Sequence, residues 1–313
     1  MSVVPMFIQL KLGDSERAFL QQQVNSSTLY FAQDHTAEEN QRQFLKSAIA
    51  FGNIPVQWLA EASNLRWLQL ESVGFGEYQS VETTATITNL RGMFSVAVAE
   101  TVLAGILSFF RGIPSLERHQ NHHHWVGAKL RPYLRTLSGS SVIIVGGGSI
   151  GQTLAQSLSC LGATVTVMDK YLSEANLSSP GELDKHLPQA DVVISCLPET
   201  QETIRFFDRT RIAQFSQQAI FVNVGRGSAV DEPALIEALQ QKTLAGCILD
   251  VTEQEPLPED HPLWHCPNTL LTQHTGGGSQ EELLNKVKVF LSNLSRFQCD
   301  QSLENIVDLN RGY

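Results

Sequence analysis

The sequence has few cysteines, and none of them lie close together. Only five occur in 313 residues. They are Cys160, Cys196, Cys247, Cys266 and Cys299. An odd number of cysteines without a C-x-x-C pair indicates neither a disulfide framework nor a zinc site. We therefore expect free thiols, no bound metal and a reducing, cytoplasmic environment.

Positive charge and long apolar runs are also scarce. Lys and Arg number 22 against 32 Asp and Glu, which gives a formal net charge of −10. Nucleic-acid binding relies on clustered Lys and Arg, so no nucleic-acid partner is expected. The most apolar window, residues 93–110, contains Glu100 and is barely long enough to cross a bilayer. It predicts a buried helix, and the N-terminal MSVVPMFIQL lacks the basic region of a signal peptide.

Two stretches of the chain alternate short apolar runs with amphipathic segments, a pattern typical of parallel α/β sheets. Residues 1–90 contain PMFIQL, TLYFA, AIAFG and LRWLQL, separated by helical patterns. From Ser141 onwards, SVIIVG, TVTVMD, DVVISCLP, AIFVNVG, GCILDV and TLLT predict six parallel strands. We predict two doubly wound α/β domains. A flavodoxin-like substrate domain comprises residues 1–97 and 287–313, and a Rossmann domain comprises residues 98–286.

A glycine-rich turn follows the first strand of the second stretch. Gly146, Gly148 and Gly151 have the G-x-G-x-x-G spacing between a β-branched run and an amphipathic helix. In a dinucleotide site the first glycine permits a tight turn, the second lets the backbone approach a pyrophosphate, and the third allows close helix packing. Alone, such a motif is also compatible with an ordinary turn.

Asp169 ends the next strand and strengthens the dinucleotide interpretation. A carboxylate at this position accepts hydrogen bonds from the adenosine ribose and repels a 2′-phosphate, so NAD is favoured over NADP. Two alternatives stay open: Asp169 caps the following turn, or Lys170 offsets part of the repulsion of a phosphate.

Several chemically active residues follow predicted strands, where ligands bind in open α/β sheets. They are Leu197 and Pro198, Arg226, Asp250 to Glu255, and His274. An imidazolium can protonate an oxyanion that forms on a substrate, while a guanidinium holds the substrate oxygens. Taken singly, Arg226 reads equally well as a surface ion-pair partner, Glu255 as a loop charge and His274 as a core histidine. Their joint occurrence favours a site.

The motifs together carry a family resemblance. GGGSIG with Asp169 is followed by CLPETQET, VNVGRG, LDVTEQEP and TQHTGG. In this order and spacing they resemble the D-isomer-specific 2-hydroxyacid dehydrogenase family over nearly the whole chain. The resemblance implies hydride transfer between NAD(H) and C2 of a small anionic 2-keto or 2-hydroxy acid. The chain departs from the family at Gln273, because the family usually has Pro before the histidine.

The resemblance assigns roles to individual residues. Arg226 binds the substrate carboxylate and carbonyl, His274 is the acid/base, and Glu255 pairs with it. Val73 and Gly74 match a loop in the first domain whose N–H groups hold the substrate carboxylate. The implied cofactor-binding residues are Gly146, Gly148, Ser149, Ile150, Gly151, Asp169, Leu197, Pro198, Thr203, Val224, Asp250 and Gly276. Thr203 is expected at a helix start beside the cofactor, and Asp250 facing the nicotinamide.

Other interpretations carry less weight or stay open. The run His122 to His124 invites a metal site, but consecutive side chains diverge and no acidic or cysteine ligand accompanies them. The resemblance instead suggests a homodimer contact within residues 98–140. Cys196 has no histidine positioned to activate it and is expected to pack. An NAD(H)-sensing protein with little turnover is the alternative function. Among substrates, glyoxylate and hydroxypyruvate are the family-level candidates, with a phosphoglycerate-type acid also possible.

Overall fold

The computed structural model describes residues 4–24 and 28–309. The chain divides into two compact units, Met1–Met93 with Ser279–Tyr313, and Phe94–Gly278. The domain boundaries predicted after residues 97 and 286 would each cut a helix, Ser95–Phe110 or Glu282–Gln298. The observed boundaries lie just before these helices, so each helix belongs whole to one unit.

The described residues form eleven strands and ten α-helices. The strands are β1 Met6–Ile8, β2 Leu29–Phe31, β3 Ile49–Phe51, β4 Trp67–Gln69, β5 Thr86–Thr88, β6 Ser141–Val145, β7 Thr164–Met168, β8 Val192–Ser195, β9 Ile220–Asn223, β10 Gly246–Leu249 and β11 Thr269–Leu271. The helices are α1 Asp14–Gln23, α2 Ala37–Phe44, α3 Val56–Glu61, α4 Ser95–Phe110, α5 Ile113–Asn121, α6 Ser149–Cys160, α7 Pro180–His186, α8 Arg209–Ile212, α9 Glu232–Gln240 and α10 Glu282–Gln298. Short 3₁₀ helices occur at Ala32–Asp34, Gly76–Tyr78, Gly127–Tyr133, Leu187–Gln189, Gly227–Ala229 and Pro262–His265.

The first unit is a five-stranded parallel sheet in the order β2-β1-β3-β4-β5. This is the flavodoxin-like order that was predicted. One face packs under α10, where Phe290 stacks on Phe51 and Trp67 with centroid distances of 4.6 and 5.2 Å. Beyond α10 the chain returns to the sheet edge, where Ile306 bridges Thr88. The strand β5 was missed in the sequence because Thr-Ile-Thr contains a single apolar residue and so forms no apolar run.

The second unit is a six-stranded parallel sheet in the order β11-β10-β9-β8-β6-β7. The inner strands β6, β8, β9 and β10 are nearly continuous apolar runs because helices cover both faces. On β6, Val142 and Ile144 join the core cluster under α4 and α6, while Ile143 and Val145 join the cluster on the other face. The strand order reverses between β6 and β8, which is the switch point where such sheets bind ligands.

The apolar segment predicted as a buried helix is α4. It contributes Val98, Val102 and Ile106 to the core of the second unit. Among the described residues, no single helix is long and apolar enough to cross a membrane. Together α4 and α5 reach that length and composition, but they bend by 65° at their break.

Candidate active site

The glycine turn between β6 and α6 has the geometry that its sequence predicts. Gly146 has φ +105°, and a Cβ there would lie 2.9 Å from the Cys196 carbonyl oxygen. A Cβ on Gly151 would lie 2.0 Å from the Gly146 carbonyl oxygen, so only glycine fits. Gly148 is the N-cap of α6 and has open space where a Cβ would stand. The first N–H groups of the helix, at Ser149 and Ile150, have no intrahelical acceptor, and such groups attract phosphates.

Asp169 holds the turn through backbone hydrogen bonds. Its Oδ2 accepts from the N–H of Gly147 at 2.7 Å. Its Oδ1 accepts from the N–H groups of Tyr171 and Leu172 at 2.8 and 2.9 Å. A carboxylate has about four lone-pair sites, so one is left for a ribose hydroxyl. The capping alternative and the ribose interpretation are therefore compatible.

Lys170 is paired away from the turn. Its Nζ lies 3.0 and 2.9 Å from the two carboxylate oxygens of Glu202. The hydrogen bond to Glu202 raises the pKa of Lys170 above its ordinary value. The ammonium thus has a carboxylate partner, which reduces its capacity to offset a second negative charge beside Asp169.

The loop after β8 packs directly against the loop after β9. A Cβ on Gly225 would lie 2.6 Å from the Leu197 backbone nitrogen. Val224 and Leu197 are buried. The Thr203 hydroxyl donates to the Pro198 carbonyl at 2.6 Å. The prediction of a helix start at Thr203 was wrong, because residues 201–205 form turns and α8 begins at Arg209.

Arg226 follows β9 and is held by its neighbours. The Asn223 side-chain amide donates to the Arg226 carbonyl at 3.0 Å, and its oxygen accepts from the Gly225 N–H at 3.2 Å. The Arg226 guanidinium is half-buried and donates to the Gly225 carbonyl at 2.8 Å. The sequence did not single out Asn223, because its hydrogen bonds to the backbone of Gly225 and Arg226 are visible only in the folded loop.

Glu255 and His274 form a hydrogen-bonded pair, with 2.6 Å between His274 Nδ1 and Glu255 Oε2. A carboxylate only accepts, so Nδ1 carries the proton and Nε2 is directed elsewhere. The other Glu255 oxygen accepts from the Thr252 N–H at 3.1 Å. His274 has a half-exposed side chain, as an acid/base needs for access to substrate.

Asp250 organises the turn that carries His274. Its Oδ1 accepts from the Thr272 hydroxyl at 2.6 Å and from the Gly276 N–H at 3.0 Å, and its carbonyl accepts from the His274 N–H at 2.6 Å. Gln273 and His274 have φ values of +53° and +58°. Proline is fixed near −65°, so the proline that the family usually has before the histidine could not adopt this turn.

In the first unit, two asparagines hold the loop that contains Val73 and Gly74. The Asn89 amide donates to the Val73 carbonyl at 2.7 Å. Asn53 Oδ1 accepts from the Glu71 N–H at 3.3 Å. These residues follow β5 and β3, so the loop is fixed from both neighbouring strand ends. The sequence did not single out Asn53 or Asn89, because each forms its hydrogen bond with a residue far away in the chain.

The histidine-rich segment forms a pair rather than a cluster. Nδ1 of His124 lies 3.0 Å from Nδ1 of His119; His124 is exposed and His119 is half-buried. Within residues 4–24 and 28–309, no group of three or more His, Cys, Asp or Glu is arranged to hold a metal. Burial raises the pKa of the Cys196 thiol to about 12, which opposes a nucleophilic role.

Comparison with known proteins agrees with this geometry. The family model described as D-isomer specific 2-hydroxyacid dehydrogenase, NAD binding domain, matches residues 103–276. The glyoxylate/hydroxypyruvate reductase B of Pectobacterium carotovorum is 29% identical over 310 residues, which cover 95% of this chain and 96% of that protein.

Solved structures extend the likeness to both units. A D-isomer specific 2-hydroxyacid dehydrogenase family protein from Aeromonas salmonicida has a TM-score of 0.86 at 28% identity, covering 98% of this chain and all of that one. The D-isomer specific 2-hydroxyacid dehydrogenase of Xanthobacter autotrophicus, solved with NADPH and MES, has a TM-score of 0.84 at 26% identity, with both chains fully covered.

A dinucleotide turn at the switch point, with a histidine–carboxylate pair at the same sheet edge, defines a nicotinamide-dependent oxidoreductase of the α/β class. The chain belongs to the D-isomer specific 2-hydroxyacid dehydrogenase family. It is an enzyme that oxidises the CH–OH group of a 2-hydroxy acid, or reduces the corresponding keto acid, with a nicotinamide dinucleotide.

Proposed function

We propose that the enzyme uses NAD(H) in preference to NADP(H). Asp169 supports this, because its carboxylate would lie beside a 2′-phosphate and Lys170 is already paired with Glu202. The Xanthobacter relative binds NADPH, so the family does not fix the choice. The glycine turn fits the cofactor, because Gly148 leaves open space at the start of α6.

The residues of the second unit have distinct roles in this proposal. When bound, the nicotinamide supplies or accepts the hydride at C2 of the substrate. His274 Nε2 donates a proton to the substrate oxygen in reduction and accepts it in oxidation. Glu255 orients the imidazole and stabilises its charged form. Arg226 binds the carboxylate and carbonyl oxygens through its guanidinium.

The substrate is proposed to be a small anionic 2-keto or D-2-hydroxy acid, with glyoxylate and hydroxypyruvate as the first candidates. The name of the Pectobacterium relative supports this choice. The N–H groups of Val73 and Gly74 would bind the substrate carboxylate, and Asn53 and Asn89 fix their loop. Backbone donors suit this task because they need no positive side chain.

One observation carries the proposal: the 2.6 Å hydrogen bond between Glu255 and His274, two residues from loops after neighbouring strands β10 and β11. A histidine with Nδ1 engaged by a carboxylate is oriented for proton transfer at Nε2. The regulatory alternative, a sensor with little turnover, does not require this pairing.

The experiment is NADH oxidation, followed by the loss of reduced-nicotinamide absorbance, with glyoxylate, hydroxypyruvate, pyruvate and bulkier 2-keto acids. We expect turnover, a loss of about 10²- to 10⁴-fold in kcat for His274→Ala, and retained NADH binding. His186→Ala, an exposed histidine on α7, is the matched control and should keep full activity. NADH binding without consumption of any acid would favour the sensor.

We also propose a homodimer formed through residues 98–140. Within this range, α5 and the following 3₁₀ helix bury no residue in the single chain. Ile113, Trp125 and Tyr133 are exposed by 50%, 92% and 78%. Exposed aromatic groups of this size favour cover by a second copy. Light scattering on the wild type and Trp125→Ala tests this: a monomeric wild type would refute the dimer.

A further inference from the structure

A second Glu–His pair contacts the loop that carries Glu255 and has no part in the roles assigned so far. Glu232, in the first turn of α9, is only 6% exposed. Its Oε2 accepts from the Glu253 N–H at 3.0 Å, and its Oε1 lies 3.2 Å from His261 Nε2. Burial of a carboxylate is costly without such partners.

The hydrogen bonds of His261 define its tautomer. Its Nδ1 accepts from the Leu263 N–H at 3.3 Å, which caps the 3₁₀ helix Pro262–His265. Because Nδ1 accepts, the ring hydrogen is on Nε2, the atom that lies 3.2 Å from Glu232 Oε1. The Nε2 side of the imidazole therefore faces the buried Glu232 carboxylate and packs against it.

The Glu232 carboxylate binds the peptide between Thr252 and Glu253, and Gly227 packs against the same peptide. A Cβ on Gly227 would lie 1.9 Å from the Thr252 carbonyl oxygen and 2.5 Å from the Glu253 nitrogen. The peptide between Thr252 and Glu253 is therefore packed against the residue after Arg226, while its N–H is bound by Glu232. This contact connects the Arg226 loop to the loop that carries Glu255.

The peptide bound by Glu232 adjoins the N–H group that holds the Glu255 carboxylate. The Thr252 N–H, one residue before the bond to Glu232, donates to Glu255 Oε1, and Glu255 Oε2 accepts from His274. Glu255 and His274 have side-chain exposures of 37% and 54%, so burial contributes little to holding them together. An exposed pair must be ordered by its backbone to keep one geometry.

We propose that Glu232 and His261 are positioning residues, which hold the Thr252–Glu253 peptide and thereby keep Glu255 against His274. This inference rests on the proposed function, in which His274 is the acid/base. It predicts that the pair acts on proton transfer through Glu255, and that it leaves the dinucleotide turn after β6 unaffected.

The test compares two substitutions of similar size at His261. His261→Gln can place an amide N–H near the former Nε2 and should retain most of the activity. His261→Asn is too short to reach Glu232, so kcat should fall by up to about 100-fold. NADH affinity, measured by fluorescence, should stay within about twofold in both, which also shows that they fold.

A double-mutant cycle distinguishes positioning from general structural support. In a Glu255→Gln background, His261→Asn should lower kcat little further, because the group it positions has been altered. The pH–rate midpoint of His261→Asn should move in the same direction as that of Glu255→Gln. Two results would overturn the proposal. One is a double mutant whose loss of kcat is the product of the two single losses, and the other is an unchanged kcat in His261→Asn.

The outcome separates this inference from the proposed function. Absence of turnover in the wild type, or full activity in Glu255→Gln, counts against the proposed function itself. A non-catalytic readout covers that case: the Nδ1–H resonance of His274 in NMR spectra of the free protein. It should be present in the wild type and His261→Gln and lost in His261→Asn; retention in His261→Asn would overturn the positioning role.

Discussion

Asp169 accepts a 2.7 Å hydrogen bond from the backbone N–H of Gly147, in the middle of the glycine turn. The residue that would select the ribose is thus the residue that holds the phosphate-binding backbone. Cofactor choice and turn stability are therefore coupled through one carboxylate.

Substitution of Asp169 should relax cofactor selectivity. We expect the wild type to favour NADH over NADPH by at least about 10-fold in kcat/KM, equivalent to about 1.4 kcal/mol. Asp169→Asn removes the negative charge but keeps one acceptor, so the preference should shrink. Glu202→Gln should also improve use of NADPH, because it weakens the hold on Lys170. Equal use of both cofactors by the wild type would contradict the assignment.

Two glycines of the turn should respond differently to alanine. Gly151→Ala pushes a methyl group into the Gly146 carbonyl and should lower the free energy of unfolding by about 1–3 kcal/mol or more. Gly148→Ala meets open space, so it should fold normally and lose NADH affinity. Gly181→Ala, another open glycine remote from this turn in sequence, is the control. Thermal melts and NADH titrations measure both effects; unimpaired NADH binding by Gly148→Ala would disprove the phosphate role.

The cysteines should differ sharply in alkylation. Burial raises the pKa of Cys196 and of Cys247 to about 12, whereas Cys160 and Cys299 are exposed. Burial disfavours the charged thiolate, so at pH 8 only about 1 in 10,000 molecules would carry it at Cys196. Brief iodoacetamide treatment with peptide mass spectrometry should label Cys160 and Cys299 and leave turnover intact. Rapid loss of activity through Cys196 would refute its packing role.

Substitution of Asn89 in the first unit should affect binding of the substrate rather than binding of the cofactor. Asn89→Ala removes the bond to the Val73 carbonyl, so KM for the keto acid should rise, by about 10-fold. The NADH dissociation constant should not change, because the glycine turn belongs to the second unit. Asn64→Ala, which loses an exposed bond to the Leu45 carbonyl, is the matched control. An unaltered KM in Asn89→Ala would remove support for the Val73 loop as a substrate site.

Much of the fold was predictable because strands and helices are encoded locally. The β6–α6 turn needs glycine at Gly146 and Gly151, where a Cβ would meet backbone atoms, so the spacing of the glycines identifies the turn in the sequence. The apolar runs of β6, β8, β9 and β10 also predict a parallel sheet, because strands buried on both faces are continuously apolar. The sequence missed β5 and placed a helix start at Thr203, where local signals are short or ambiguous.

The sequence alone determined the two α/β units, the dinucleotide turn and the types of side chain available for chemistry. Tertiary structure decided which of them meet: Glu255 with His274, Asp250 with Thr272, and Glu232 with His261. It also decided that Gln273 adopts a left-handed conformation that proline could not. Hydrogen bonds form only within a few tenths of an ångström of their ideal length, and that precision comes from packing of distant segments rather than from spacing along the chain.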